Sequence, residues 1–146
     1  MIKRMEHIEV IDERLLEGVS AEARKTSRLR MNHNFHKSLD DKCHRFVNAV
    51  EPGSEIPIHH HPTKDEAVVV LKGKVKVMTY DDGGQLLDCV ILSHDDGVYG
   101  VNIPRNVWHT IESLEPGTVL FECKEGPFVP HEQEGVMEKD LRSSRE

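Results

Sequence analysis

The sequence predicts an all-β fold, a jelly-roll β-barrel or sandwich preceded by one short helix. Short apolar stretches, about eight between residues 43 and 123, follow one another at spacings of roughly 8–12 residues with turn residues between them. No helical periodicity interrupts this series, which argues against alternating strands and helices. A length of 146 residues corresponds to a single domain.

Three regions divide the chain. Residues 1–26 should form an N-terminal helical segment with Asp12 as its cap, and a second short turn can begin at Ser20. Residues 27–130 should form the barrel, and residues 131–146 a polar tail that we expect to be mobile. The apolar stripe of the helix consists of Ile11, Leu15, Leu16 and Val19.

Apolar runs between turn signals define the strands. The segment Asp81-Asp82-Gly83-Gly84 is a strong hairpin turn, and Glu51-Pro52-Gly53-Ser54 also reads as a strand end. The apolar run 67–71 indicates a strand that is covered on both faces. The predicted strands cover residues 29–33, 43–50, 56–61, 66–71, 75–80, 86–92, 98–103, 107–112 and 118–124.

Composition excludes several classes of function. A net charge of −7 disfavours nucleic acid as a partner, because phosphate contacts need Lys and Arg. No stretch approaches the roughly 18 apolar residues of a transmembrane helix, so we expect a cytoplasmic protein without a membrane partner. Cys43, Cys89 and Cys123 are an odd, widely spaced set, and we expect buried free thiols rather than a disulfide framework.

The pair His59 and His61 is the strongest chemical signal. On a strand, both side chains would point to one face, roughly 6–7 Å apart, and His60 to the other. A turn over 62–65 and a strand opening with Glu66 would make a hairpin that returns the carboxylate to the imidazoles. A solvated loop is the alternative, but His and carboxylate ligands with open positions are typical of non-haem iron. The predicted metal site comprises His59, His61, Glu66 and His109.

These four ligands would leave one or two positions open on a five- or six-coordinate metal for water, dioxygen or substrate. Zinc prefers four-coordinate sites, so the set favours iron, manganese or nickel, with zinc as a further candidate. No catalytic residue can be assigned beyond the ligands. The candidates for acid/base work are His36, His44, His94 and Tyr99, and Trp108 is a rim aromatic or a stacking platform for a sugar.

The ligand segment resembles the cupin superfamily. The first cupin motif is matched at Gly53, His59, His61, Glu66 and Gly73. Asn106 stands where the second motif commonly has glycine, and Asn tolerates a positive φ better than most residues. The second motif is matched less well: Gly97 precedes Pro104 by one residue more than the usual pattern, Ser113 stands where Asn is usual, and His109 is the ligand position.

From about residue 26 to 128 the chain also resembles the WbuC-type cupins, found among proteins of bacterial O-antigen and surface-polysaccharide synthesis. The resemblance implies a metal-binding homodimer with a sugar-related or other polar small-molecule ligand, and no defined reaction. A metal-dependent isomerase or epimerase, a non-haem iron dioxygenase and a non-catalytic binding or sensing module all stay open. The segments that carry the resemblance include Arg30-Met31-Asn32, Glu51-Pro52-Gly53, Trp108-His109-Thr110, Glu115-Pro116-Gly117-Thr118, Phe121-Glu122 and Gly126-Pro127-Phe128.

Overall fold

The computed structural model describes residues 7–130 and 135–137. The expected mobility of the tail falls mostly on residues outside this part of the chain. Within it, one helix precedes eight strands. The elements are α1 (Glu13–Lys25), β1 (Arg30–Asn34), β2 (Cys43–Val50), β3 (Glu66–Lys72), β4 (Lys74–Tyr80), β5 (Leu86–Ser93), β6 (Gly100–Ile103), β7 (Trp108–Ser113) and β8 (Val119–Glu125).

The helix begins and packs as its sequence predicts. Asp12 is the N-cap, and its side chain accepts a hydrogen bond from the Leu15 backbone N–H over 3.0 Å. Ser20 is buried inside one continuous helix, so the predicted second turn is not separate. The buried stripe of α1 lies on β1 and β2, where Leu16, Val19 and Ala23 contact a cluster containing Val47, Ala49 and Val119.

Two antiparallel sheets form the body of the protein. The first has the strand order β1-β2-β8-β3-β6 and the second the order β5-β4-β7. The sheets face each other but do not close, so the predicted jelly-roll architecture is present as a sandwich rather than as a barrel. The core between them consists of Val50, Ile56, Val68, Val70, Val75, Val77, Leu92, Ile103, Ile111 and Leu120.

The predicted strand over 56–61 is wrong. Pro57 has no N–H to donate to a ladder, and Pro62 lacks one at the other end. Only His59 forms bridges, to His109 on β7 and to Val136 near the C-terminus. The segment is therefore a loop that is fixed at single positions.

Two smaller expectations also need correction. Strand β6 begins at Gly100 rather than at residue 98, because Val98 closes the preceding turn through a bridge to Ser93. Cys43 and Cys89 are exposed rather than buried, although all three thiols are free as expected. None of the described residues forms a helix long and apolar enough to cross a membrane.

Candidate metal centre

The four predicted ligands come from three parts of the fold. His59 and His61 lie on the loop before β3, Glu66 is the first residue of β3, and His109 lies on β7. Glu66 pairs with Ile103 and Lys124 instead of with the histidine loop, so the predicted hairpin is wrong. The ligands meet because the two sheets face each other: the loop bridges to β7 in one sheet, while Glu66 belongs to the other.

The side chains converge in a buried space. The ligand atoms of His59, His61 and His109 all lie within 4.8 Å of one another. The Glu66 Oε2 atom is 3.3 Å from His61 Nε2 and 3.7 Å from His109 Nε2. All four residues are at least 93% buried, with 3–7% of their surface exposed. This geometry brings all four predicted residues together.

Backbone carbonyls set the protonation of two imidazoles. His59 Nδ1 lies 2.8 Å from the Pro57 carbonyl oxygen, and His109 Nδ1 lies 2.8 Å from that of Val107. A carbonyl oxygen only accepts, so each Nδ1 carries the proton and donates. In a neutral imidazole this leaves a lone pair on Nε2, the atom that faces the other ligands.

The donor set fits a divalent cation. His109 Nε2 is buried, and no atom among the described residues forms a hydrogen bond with it. Its nearest charged neighbour is Glu66, so two acceptors face each other across 3.7 Å. A proton or a metal ion must lie between them to offset the repulsion. Imidazole and carboxylate are ligands that iron, manganese, nickel and zinc accept.

A second carboxylate, Glu122 on β8, lies beside the first. It shares a hydrogen bond with Glu66, and its Oε2 atom accepts one from Asn48 Nδ2 over 2.7 Å. Burial raises the pKa of Glu122 well above its usual range, and the negative charge of Glu66 raises it further. Glu122 therefore holds a proton under conditions in which an exposed glutamate is ionised.

The opposite shift holds for Glu66. Burial alone raises the pKa of its carboxyl, but interactions with the neighbouring His109 and His61 rings and with Glu122 outweigh that effect, so its pKa lies well below the usual range. One carboxylate is thus ionised and its neighbour protonated. Such a split is typical of acid/base sites.

A cavity of about 430 Å³ opens onto these groups, a volume typical of small-molecule sites. All four predicted ligands, Glu122 and Asn48 line it. Arg30 and Asn32, which belong to a segment that carries the WbuC resemblance, also line it from β1. The remaining lining residues are Arg28, Phe46, Ile56, Ile111, Lys124, Phe128 and Pro130.

The candidates for acid/base work lie elsewhere. The rings of His36 and His44 stack on each other with centroids 4.1 Å apart, and His94 Nε2 lies 2.7 Å from the Val70 carbonyl oxygen. Tyr99 is 58% exposed. None of these four residues lines the cavity.

Trp108 supports the histidine loop. Its ring stacks on His60 with centroids 3.9 Å apart and an interplanar angle of 6°. Its indole N–H donates to Asp82 Oδ1 over 3.0 Å. His60 therefore points away from the ligands, as predicted, and it covers one face of the aromatic ring that we considered as a sugar platform.

Sequence reasoning missed Glu122 and Asn48. Their only signal is alternation: on β8, Leu120 and Glu122 point into the sandwich, whereas Phe121 packs against the cluster under the helix. Glu122 could have been recognised as a charged residue on the inward face of the predicted strand over 118–124. Which face points inward depends on the pairing of β8 with β2 and β3, which the sequence does not reveal.

Comparisons with known proteins agree with this architecture. Residues 11–92, more than half of the chain, match a protein family described as a domain of unknown function (DUF6016). No curated protein matches the sequence. Among solved structures, the cupin domain of Cnp3 from Schizosaccharomyces pombe is similar with a TM-score of 0.53 and 13% identity, over 66% of this chain and 64% of that one.

Two bacterial structures are also similar. One is the capsular polysaccharide assembling protein CapF from Staphylococcus aureus, with a TM-score of 0.56 and 22% identity over 73% of this chain. This chain spans only 31% of CapF. The other is the SPY1581 protein of unknown function from Streptococcus pyogenes, with a TM-score of 0.59 and 16% identity over 88% of this chain and 96% of that one. These structural similarities show a cupin fold and, at identities of 22% or less, the fold alone.

Proposed function

Because the chain belongs to the DUF6016 family, whose description assigns no activity, we propose its function from the site: a metal-dependent cupin enzyme that moves a proton on a small polar, sugar-related metabolite. One observation carries the proposal. A buried cluster of three histidines and Glu66 shares one cavity with Glu122, a carboxyl whose pKa is raised.

Under this proposal, His59, His61, Glu66 and His109 hold the metal. When bound, a divalent iron, manganese, nickel or zinc ion supplies Lewis-acid polarisation of a ligand oxygen. The carbonyls of Pro57 and Val107 keep two of the imidazoles oriented through their Nδ1 protons.

Glu122 would serve as the general acid and base. Its carboxyl proton is shared with Glu66 and can pass to a ligand atom when that hydrogen bond opens, and the carboxylate left behind can take a proton back. Asn48 positions this carboxyl through its Nδ2 group. The Asn48 Oδ1 atom is buried and has no hydrogen-bond partner among the described residues, so it suits a hydroxyl of a sugar-like ligand.

A role in bacterial surface-polysaccharide synthesis is part of the proposal. It is supported by the likeness of the sequence to WbuC-type cupins and by the fold shared with the capsular polysaccharide assembling protein CapF. A cytoplasmic location, a homodimer and the lack of nucleic-acid or membrane partners are further parts of it. The alternatives are a binding or sensing module without turnover and a non-haem iron dioxygenase.

Metal content tests the ligand assignment. Elemental analysis of freshly purified protein should find close to one divalent transition metal per chain, and His61→Ala should lose most of it because one of the buried donors is gone. His33→Ala is the matched control, because His33 is an exposed histidine outside the cavity. Full metal content in His61→Ala would refute the site.

Proton movement tests the enzymatic role. Aldoses and ketoses incubated with metal-loaded protein in D2O should gain deuterium next to the carbonyl carbon, and mass spectrometry measures this gain. Glu122→Gln should keep its metal but slow deuterium uptake by about 10²-fold or more, the range for loss of a general acid or base. Tight binding without deuterium uptake would instead favour the sensing module, and oxygen consumption with ferrous iron would favour a dioxygenase.

A further inference from the structure

The cavity has a cationic end that the metal-centred proposal does not use. Arg28 and Arg30 both line it, on and just before β1, whereas the predicted metal ligands lie on β3, on β7 and on the loop before β3. No carboxylate among the described residues forms an ion pair with either guanidinium. The chain has a net charge of −7, so two guanidinium groups that face one cavity without acidic partners indicate a site for an anionic ligand.

Arg30 is held in place by its surroundings. Its Nη1 group donates to the Glu55 carbonyl oxygen over 2.8 Å and to Ser54 Oγ over 3.3 Å. Ser54 Oγ in turn donates to the Arg28 carbonyl oxygen over 2.7 Å. Within the part of the chain that the structure describes, the Nε and Nη2 groups of Arg30 make no hydrogen bond. A fixed guanidinium with unused donors is suited to bind an oxyanion through two hydrogen bonds.

The surroundings of Arg30 disfavour its positive charge when no ligand is bound. Burial lowers the pKa of Arg30, and the positive charge of Arg28 lowers it further. Both effects disfavour the charged form, so an anion that enters the cavity relieves them. A ligand without charge would leave them in place.

The whole cavity also favours an anion. Lys124 lines it as a third cation, next to Glu66 across the strand pair β3 and β8. Because Glu122 is protonated, three cations face one ionised carboxylate, Glu66, which leaves two net positive charges, and a divalent metal raises this to four. This field attracts anionic small molecules from solution.

Strand spacing limits the size of such a molecule. Arg30 pairs with Val50 on β2. Glu66 pairs with Lys124, which lies opposite His44 on β2. The two residues are therefore three strand spacings apart across the sheet and six residues apart along β2, so roughly 24 Å separates their backbones. Side chains from both ends shorten this gap, and the remaining space suits a molecule of at least monosaccharide size rather than a two-carbon acid.

We propose that Arg28 and Arg30 bind the oxyanion, a carboxylate or a phosphate, of a sugar-sized ligand whose opposite end reaches the histidine cluster. The proposal rests on the function proposed above and specifies the ligand class of the same site. The ligand is thus an acidic or phosphorylated sugar derivative instead of a neutral sugar.

Isothermal titration calorimetry tests the proposal with three probes: glucuronate, glucose 6-phosphate and glucose. Manganese-loaded protein should bind at least one charged probe about tenfold or more tightly than glucose, and the stronger of the two tells whether the subsite takes carboxylate or phosphate. Arg30→Gln and Arg28→Gln should each remove most of this preference.

Arg105→Gln is the matched control. Arg105 is exposed, forms ion pairs with Asp65 and Glu125 and does not line the cavity, so its loss removes a charge without touching the subsite. The preference should persist in this variant. Arg28→Gln should fold normally even if Arg30→Gln does not, because Arg28 is exposed and no described residue accepts a hydrogen bond from its side chain.

Equal binding of all three probes, no binding of any of them, or an unchanged preference in both arginine variants would overturn the inference. Repeating the titration on chelator-treated protein tests the anion subsite separately from the metal-dependent function proposed above. Metal binding without a preference for the charged probe defeats the anion subsite alone. A preference for the charged probe in protein that never retains metal defeats the metal-dependent function alone.

Discussion

At the scale of single residues, the site depends on backbone geometry as much as on the ligands. Asn106 has a φ of +68°, in the region where Asn and Gly are tolerated best, and its N–H donates to the His61 carbonyl oxygen over 3.0 Å. Asn106 stands where the second cupin motif commonly has glycine. The turn that leads to His109 thus also ties down the loop that carries His61.

Gly73 offers a sharp test of such backbone constraints. Its φ is +85°, and a Cβ placed there would lie 2.7 Å from the Thr118 Cα atom. Gly73→Ala should therefore lower the free energy of unfolding by about 2 kcal/mol or more, because both strain and overlap oppose it. Urea denaturation followed by circular dichroism measures this change.

Gly18 is the control for that prediction. It lies within α1, and no atom lies within 4 Å of the Cβ that alanine would add. Gly18→Ala should stabilise the protein by about 0.5–1 kcal/mol, because it reduces the conformational freedom of the unfolded chain. Similar effects of the two substitutions would contradict our account of Gly73.

His59, His61 and Glu66 were predictable at this scale because their spacing is local, whereas His109 was predicted from its resemblance to the second cupin motif. His59 and His61 share a face in a loop as they would on a strand, and Glu66 follows them closely. Glu122 and Asn48 were not predictable, since they are 74 positions apart and meet only through the pairing of β2 with β8. Arg28 lies before the first strand and gave no signal of its own.

At the scale of elements, most strand boundaries could be predicted from turn residues. The exception is the loop over 56–61, where the spacing of His59 and His61 favoured a strand but Pro57 and Pro62 interrupt the ladder. Helix α1 was predictable from its apolar stripe and its N-cap residue. Its packing on β1 and β2 was not predictable, because it depends on how the strands are arranged in the fold.

The pairing of β2 with β8 also brings two thiols together. Cys43 Sγ lies 3.7 Å from Cys123 Sγ, although 80 positions separate them. Burial raises the pKa of Cys123, and the nearby Cys43 raises it further, which slows its reaction as a thiolate near neutral pH. Cys43 is exposed and should react first.

We therefore expect a mild thiol oxidant such as diamide to join Cys43 and Cys123 within one chain. Mass spectrometry of the non-reduced protein should show a loss of two hydrogens and a cross-linked pair of peptides. Cys43→Ser should prevent the bond, and Cys89→Ser should leave it, because Cys89 lies on β5 in the other sheet. Cross-links between separate chains only would contradict the placement of the two strands.

At the scale of the whole molecule, the metal should stabilise the fold. Its ligands join both sheets and the loop between them, so unfolding releases the ion. A metal at a free concentration about a hundredfold above its Kd adds about 2.7 kcal/mol, which raises Tm by roughly 5–10 °C for a chain of this size. Thermal melts with and without a chelator measure this shift.

The same melts on His61→Ala supply the control. This variant should melt at one temperature whether or not metal is added, since it lacks a ligand. A shift as large as that of the unaltered protein would place the stabilising ion elsewhere. The expected homodimer stays a prediction, which the molar mass from light scattering would decide.

The histidine loop has a second support besides β7. Met137 N–H donates to the Ile58 carbonyl oxygen over 2.8 Å, and the Met137 side chain packs with Ile58, Met78 and Tyr80. Proteolytic removal of the chain after Pro130 would therefore loosen the loop from one side.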